Sequence, residues 1–405
     1  MAQTIKTLKD GDLVREYLAS FHNKLKFIKT INRQYDSRYA ATGAKNGGEL
    51  VIKNPNQFTV RTGAVMDTQD IVETTQTLTL ATQKGVDINM SSVEMTMFVD
   101  DYKAMVIDPA MDKLAAMVEY DVMSTLYKDV FNLSGTPATT PASLEAVLNA
   151  GVKLSQGLAP EGDRHLLMDS LAMAGTVAKL ATYFHKASEV ESAFAEGYIG
   201  HAGGFKWWES NMIPNHTNGT RTDTTPITTI TAAQDSAALV VTGAGNALTY
   251  AVGDIFTIAD VYAINDETKQ KYSHLQQFTV TTLATSEAGG AVTLAISPKL
   301  TASGVKQTVS VTAGSKALVN LTAGGSGAAS AIYPQNLAYH KDAFTFVSAD
   351  LYTDPSARMS RANIEGVSMR FWRGNDIIND KFPARVDVLY GCKTLRPEWA
   401  VRTRG

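Results

Sequence analysis

The sequence predicts an α+β chain interrupted by an inserted all-β domain, and three observations lead there. Helical and strand patterns are mixed before residue 217 and after residue 333. Between those points composition changes: residues 217–333 hold 21 Thr but no Met and no Trp, whereas the chain has 14 Met and 4 Trp. Within that window short β-prone runs alternate with turn residues, the pattern of a small barrel or sandwich. A host fold with a guest therefore accounts for 405 residues better than three domains in a row.

The elements follow in order. Leu13, Val14, Tyr17, Leu18, Phe21, Leu25 and Ile28 keep helical spacing, which predicts one amphipathic helix over 11–31. A polar hairpin is expected next: Glu49-Leu-Val-Ile-Lys53, a turn at Asn54-Pro-Asn56, then Gln57-Phe-Thr-Val-Arg61. It has no wide apolar face and would be marginal unless it packed on something else. Thr75 to Leu80 and Val86 to Met90 continue the β character. Asp108-Pro109 supplies an N-cap and a first-turn proline for a long helix over 108–131. Its apolar face would be Met111, Leu114, Ala115, Val118, Val122, Thr125 and Leu126. A helix from Pro141 to about Leu158, a strand His165–Met168 and a helix from Ser170 to about Phe184 come next.

In the window, strands are expected around Ala238–Thr242, Asp254–Ile258, Gln277–Thr281 and Ala291–Ile296. Asn215–Gly219 and Gly324–Ser330 read as linkers. Strands at Ala343–Val347, Val367–Trp372 and Ala384–Leu389 would close the host. The pair Trp207-Trp208 reads as a packed strand edge, and the segment from Arg396 to Arg402 as a docked tail.

Composition removes several function classes. A chain 44% hydrophobic and 19% charged can build a core and is not disordered. One cysteine, Cys392, excludes a disulfide scaffold and a cysteine-based zinc cluster. No apolar run reaches the roughly 18 residues of a membrane span, and Met1 to Leu13 lacks an apolar signal core. The expectation is a chain made in a reducing cytoplasm, neither secreted nor membrane-spanning.

Enzymatic patterns fail on context. There is no Gly-x-Ser-x-Gly elbow and no Walker sequence, and Gly325-Ser-Gly327 has neither a third glycine nor a following helix. The 7 histidines are scattered, none as His-Glu-x-x-His. His165 on a strand reads as a satisfied structural residue, and Glu189, Glu191 and Glu196 as a solvated helix face. No catalytic, cofactor-binding or metal-binding residue is expected, and the chain is read as a non-enzyme.

Charge is uneven although the total is −3. Residues 1–40 carry eight basic and four acidic side chains, and residues 356–405 carry ten and five, so the middle is acidic. Basic ends can touch nucleic acid, or they can pair with acidic faces of identical copies.

Several segments together resemble a known family. They are Asn336-Leu-Ala-Tyr-His-Lys-Asp-Ala-Phe-Thr345, Val386-Asp-Val-Leu-Tyr-Gly391 with Arg396-Pro-Glu-Trp399, Gly253-Asp-Ile-Phe-Thr-Ile-Ala-Asp-Val261, and Phe278-Thr-Val280. From about residue 5 onward the chain is similar to tailed-bacteriophage major capsid (coat) proteins of the P22 coat-protein-like family, which have the HK97-like fold. The resemblance implies an N-arm at 1–35, an E-loop at 36–80 and a P-domain at 81–131 with its spine helix. It implies an A-domain at 132–216 returning at 334–360, an I-domain at 217–333, and closing P-domain strands with a C-terminal tail at 361–405.

The implied function is self-assembly into the icosahedral shell of a double-stranded DNA phage. The implied partners are further copies in hexamers and pentamers, a scaffolding protein, a portal and non-specifically touched DNA, with no membrane; the implied place is the virion. Candidate intersubunit residues are Lys53, Asn54, Asn56 and Arg61 on the hairpin and Arg396, Trp399 and Arg402 in the tail. The alternatives are an encapsulin-like compartment shell and a carbohydrate-binding or adhesive protein using the β insertion. Weak net charge favours self-association, because a coat that condensed its genome electrostatically would need many more Lys and Arg.

Overall fold

A computed structural model describes residues 10–33, 49–91 apart from positions 57, 59, 67 and 72, and 103–135. It further describes 141, 144–180, 200–221, 226–231, 234–320, 330, 332–354 and 357–404. The chain divides into two compact units. One comprises Met1–Lys53, Thr75–Val122 and Phe344–Lys393; the other comprises Asn54–Thr74, Met123–Ala343 and Thr394–Gly405.

The first unit is a helix-on-sheet layer. Strands Phe344–Ala349, Lys381–Thr394, Val367–Arg373 and Met359–Ile364 lie side by side in that order. Thr82–Ser91 adds a long antiparallel pairing to Lys381–Thr394, from Thr82↔Tyr390 to Ser91↔Lys381. The two backbones come so close at Gly85 that a Cβ there would collide with the Val386 carbonyl, which explains glycine in a strand interior. Helix Asp10–Lys24 lays Val14, Tyr17, Leu18 and Phe21 on this sheet, with Tyr17 stacked on Phe371 at 5.7 Å between centroids.

The single helix expected over 11–31 is broken. After Lys24 the chain pauses at Leu25 and Lys26, then makes a four-residue turn, Phe27–Thr30. The Lys26 N–H donates to the buried Glu119 carboxylate instead of continuing the helical ladder. Asn32 then joins the Phe344–Ala349 strand through Asn32 N–H to Phe344 O (3.1 Å) and Phe346 N–H to Asn32 O (3.1 Å).

The expected hairpin also pairs differently. Glu49–Lys53 runs antiparallel to Thr75–Thr79, from Glu49↔Thr79 to Lys53↔Thr75. Residues 58, 60 and 61 are not strand, while 57 and 59 lie outside the described residues. The Asn54 N–H reaches Thr74 O at 2.8 Å, so the turn opens into a long connection instead of reversing at Pro55. The β-branched Thr75, Thr77 and Thr79 suit the strand that Gln57–Arg61 was expected to supply.

The spine helix is shorter and starts differently than expected. A π turn, Lys103–Ile107, runs into Asp108–Leu126, and a 3₁₀ turn, Tyr127–Asp129, ends it. Pro109 lacks the N–H that an α ladder would use at this junction. Asp108 is therefore not a free N-cap; it accepts the Ser20 Oγ–H at 2.7 Å. Along the buried face Met123 takes the place expected for Thr125, which is exposed.

The second unit has an α/β region and a barrel. In the α/β region the strand order is Leu133–Ser134, Ala400–Thr403, Asn336–His340, Arg164–Met168, Phe205–Glu209 and His201–Ala202. Helices Leu144–Gln156 and Ser170–Leu180 cover it, burying Val147, Leu154, Ala172 and Met173 against Leu166, Trp207 and Val401. The rest of the helix expected to residue 184, and Glu189, Glu191 and Glu196, lie outside the described residues. Trp207 is buried and Trp208 partly exposed, and both lie on a strand second from the edge, so the pair is packed but is not the expected strand edge.

Residues 227–320 close into a barrel. Lys271–Val280, Val292–Thr301, Asp235–Thr242, Ile227–Ile230, Gly314–Asn320 and Ile255–Ile264 are neighbours in turn, and Ile255–Ile264 pairs back to Lys271–Val280. Closure removes the exposed edges that an open sheet would leave. The interior holds Leu239, Val241, Ile258, Val280 and Leu294, with Phe256 stacked on Phe278 at 5.8 Å. The segment expected as a linker is partly strand: Asn215–Thr217 pairs antiparallel with Ile332–Pro334, forming a stem. Gly324 to Ala329 lies outside the described residues.

The C-terminal segment is more than docked. Ala400–Thr403 is an interior strand, antiparallel to Asn336–His340 and parallel to Leu133–Ser134. The boundaries drawn at 334–360 and 361–405 are accordingly cut again. Residues 344–393 group with the first unit, and 394–405 with the second.

Candidate intersubunit surface

The four hairpin candidates lie on or next to the ribbon of Glu49–Lys53 and Thr75–Thr79. Each strand has one well-buried side chain, Ile52 and Leu78, which roots the ribbon. Leu50 is half-buried, and Val51, Phe58, Val60, Val65, Met66 and Ile71 are exposed, with Val60 96% exposed. Single exposed apolar residues are ordinary, but five between Phe58 and Ile71 are an unusual concentration for one connection.

Lys53 and Arg61 are exposed there, and Asn54 and Asn56 are half-buried. The Arg61 guanidinium donates to the carbonyls of Gly63 and Val65, folding the side chain back over its own segment. Four of the candidate residues thus share one segment.

The three tail candidates sit elsewhere and are turned inward. Arg396 lies over the Trp399 ring at 4.1 Å from its centroid, and the Trp399 Nε1–H donates to Gly157 O at 2.9 Å. His340 meets the same indole edge-on at 5.3 Å. Arg402 is fully buried, which corrects its expected role as an intersubunit contact. Its Nη1–H donates to Gly253 O at 2.7 Å and its Nη2–H to Lys128 O at 3.3 Å, over the Tyr127 ring at 5.2 Å. Burial lowers the guanidinium to about 9, still cationic at neutral pH.

Beside it stands a group that sequence reasoning passed over. His216 Nε2–H points at Asp254 Oδ1 (2.8 Å), and Tyr127 O–H points at His216 Nδ1 (3.2 Å), the assignment of a neutral imidazole. Burial depresses the His216 pKa, in keeping with that neutral form. His216 was hidden inside a supposed linker. Gly253-Asp254 was visible only as a stretch resembling the coat-protein insertion.

The remaining polar constellations are structural. His165 accepts the Trp208 Nε1–H at 3.1 Å and packs on Tyr339, the satisfied role expected of it. Asp387, buried, is held by Arg370 at 2.7 Å and by Arg385 at 3.3 Å. A cleft of about 550 Å³ between the barrel and the Pro397–Trp399 turn is lined by both signs of charge, including Lys153, His274, Asp266 and Glu398. Among the described residues no group of three or more His, Cys, Asp or Glu is placed to hold a metal ion. No helix among them is long and apolar enough to cross a membrane.

Comparison with known proteins supplies the family. Residues 7–403 match the family model described as P22 coat protein, gene protein 5. The chain belongs to the P22 coat protein family. No curated protein matches the sequence.

Among solved structures, the chain is similar to one from Mycobacterium phage Che8 at 12% identity, covering 93% of this chain and 90% of that one, with a TM-score of 0.49. It is similar to the capsid of Ralstonia phage GP4 at 8% identity, covering 93% and 87%, with a TM-score of 0.44. It is also similar to the satellite phage P4 procapsid that includes the size determination (Sid) protein, at 5% identity, covering 99% and 93%, with a TM-score of 0.40.

Family membership makes this α+β chain a phage coat protein that associates with its own copies to form a shell, and so a component of the virion. The role is structural.

Proposed function

We propose that this P22-family coat protein builds its shell by seating the 49–79 ribbon and its connection on a neighbouring copy, in hexamers and pentamers. The observation that carries this is the exposed apolar row Val51, Phe58, Val60, Val65, Met66 and Ile71 on a ribbon rooted only at Ile52 and Leu78. A two-stranded ribbon is marginal in water by itself, and burial of that row would supply what it lacks. Lys53, Asn54, Asn56 and Arg61 then form the polar rim of the contact.

Each contact is modest, and many linked contacts per subunit give the shell its avidity. A scaffolding protein and a portal join assembly in the host cytoplasm. The packaged double-stranded DNA is touched without sequence preference, and the chain performs no catalysis.

The test is the double substitution Val60→Asp with Val65→Asp. Its circular dichroism and monomer sedimentation should match the parent, while electron microscopy under assembly conditions should show no closed shells. Shells at parental yield would sink the proposal. Shells that enclose cargo enzymes and no nuclease-protected DNA would favour the compartment reading instead.

A further inference from the structure

The barrel is joined to the α/β region by slender covalent means. Its stem is a ribbon of three residue pairs, Asn215↔Pro334 to Thr217↔Ile332. Such a ribbon sets no firm angle by itself. Yet polar side chains from the host, the stem and the barrel converge at one buried point beside it.

Five pieces of chain meet there. The end of the spine contributes Tyr127 and the Lys128 carbonyl, the stem contributes His216, and the C-terminal strand contributes Arg402. Asp254 and the Gly253 carbonyl come from the turn entering the barrel strand Ile255–Ile264, and Thr279 from the strand Lys271–Val280.

Arg402 binds barrel and host at once, through Gly253 O (2.7 Å) and Lys128 O (3.3 Å). Thr279 Oγ1–H adds a second bond to Lys128 O at 3.1 Å. His216 bridges Tyr127 and Asp254, and Asp254 Oδ2 accepts the N–H groups of Gly219 (3.2 Å) and Ala251 (2.9 Å). Nearby, Gln277 from the barrel exchanges two bonds with the Leu133 backbone, 2.7 Å from its N–H and 3.1 Å to its carbonyl.

Gly253 completes the fit. Its φ is +96°, and a Cβ there would lie 3.2 Å from His216 Cε1. The barrel's entry turn therefore seats directly on the stem histidine. Burying a cation and a carboxylate is costly without partners, and both Arg402 Nη atoms and both Asp254 oxygens have them here, so the cluster favours one docked arrangement over a range of tilted ones.

We propose that Arg402, Tyr127, His216 and Asp254 form a latch that locks the inserted barrel onto the α/β region, so that the two move as one body. The latch is a positioning device, distinct from both hydrophobic cores. Each core is complete on its own side, in the barrel around Phe256 and in the sheet around Trp207. Opening the latch leaves the two parts folded and lets the barrel swing on its stem.

Hydrogen exchange on the full-length chain tests this. In Arg402→Met, amides at 127–133, 215–219, 251–254 and 277–280 should exchange at least tenfold faster. Protection in the barrel strand Val292–Thr301 and the sheet strand Arg164–Met168 should stay at the parental level. Arg402→Lys, which keeps a cation that can reach one carbonyl, should restore part of the junction protection. Asp254→Asn, which keeps the shape and removes the charge, should repeat the pattern and decides the matter if Arg402→Met does not fold. Parental protection at the junction in the deciding variant would overturn the latch. So would loss of protection throughout barrel, sheet and junction together, because these residues would then be ordinary members of a single core.

Discussion

The barrel of residues 227–320 and the ribbon of 49–53 with 75–79 are both antiparallel β structure, and they are stabilised in opposite ways. The barrel closes on itself and keeps Leu239, Ile258, Phe278 and Leu294 away from water. The ribbon hides Ile52 and Leu78 and presents Phe58, Val60, Val65 and Met66 on its connection. Strand propensity alone does not separate them, since both are rich in Val, Ile and Thr. What separates them is whether the apolar face is covered within the chain. In a coat protein this contrast has a use, because a face left uncovered in one copy is available to the next.

The contrast can be pressed hardest in the barrel. Phe256→Ala removes one ring of the stacked Phe256–Phe278 pair and should cost about 3 to 5 kcal/mol, read as a lowered denaturation midpoint. A cost under about 1 kcal/mol would mean that the barrel does not depend on its own core.

Acidity should affect the four histidines of the barrel-bearing unit and Glu119 of the other unit with opposite sign. In the unit containing the barrel, burial holds His165 and His274 down at about 4 and lowers His216 and His340. Those groups bind protons more readily when unfolded, near 6.5. The stability they reflect is complete above that value and is lost as pH falls from 6.5 toward 4.

Glu119, in the other unit, is pushed up to about 7 by burial. Its stabilising term is complete below its ordinary value of 4.5 and is lost as pH rises through 7. Between pH 5 and 8, hydrogen exchange should show the barrel-bearing unit strengthening and the segment around Lys26 loosening. Glu119→Gln should flatten only the second trend. A parallel response at the Lys26 segment and at the strands carrying His165 and His274 would contradict this assignment.

The smallest stability effect is expected on the ribbon connection. Val60→Asp with Val65→Asp should leave the denaturation midpoint unchanged within about 0.5 kcal/mol, because neither side chain is buried in the monomer. A larger loss would mean that the connection is already packed inside its own chain.

Much of the fold was legible as pattern. The Thr-rich, Met-free window marked the barrel because small domains of short strands differ in composition from helix-bearing hosts. The strand Val367–Arg373 falls at the expected Val367–Trp372, the strand Lys381–Thr394 contains the expected Ala384–Leu389, and the helix Leu144–Gln156 lies within the span expected from Pro141. The misses share one cause, that the deciding contact came from far along the chain. Glu119 interrupts the helix at Lys26, and the partner of Glu49–Lys53 lies at Thr75–Thr79, past the nearest turn signal. Arg402 looked like an exposed tail arginine because nothing local announces that Ala400–Thr403 enters the middle of a sheet.

Sequence by itself determined the class of the molecule: an α+β host, a β guest with few charges and no cysteine framework, and a coat-protein resemblance carried by ordered segments. These depend on composition and periodicity, which are local properties of the chain. Only tertiary structure decided which strands pair, which apolar residues stay uncovered, and that a histidine in a supposed linker meets an arginine from the C-terminal strand. Those depend on burial and on the satisfaction of buried polar groups, and each exists only once segments hundreds of residues apart have met.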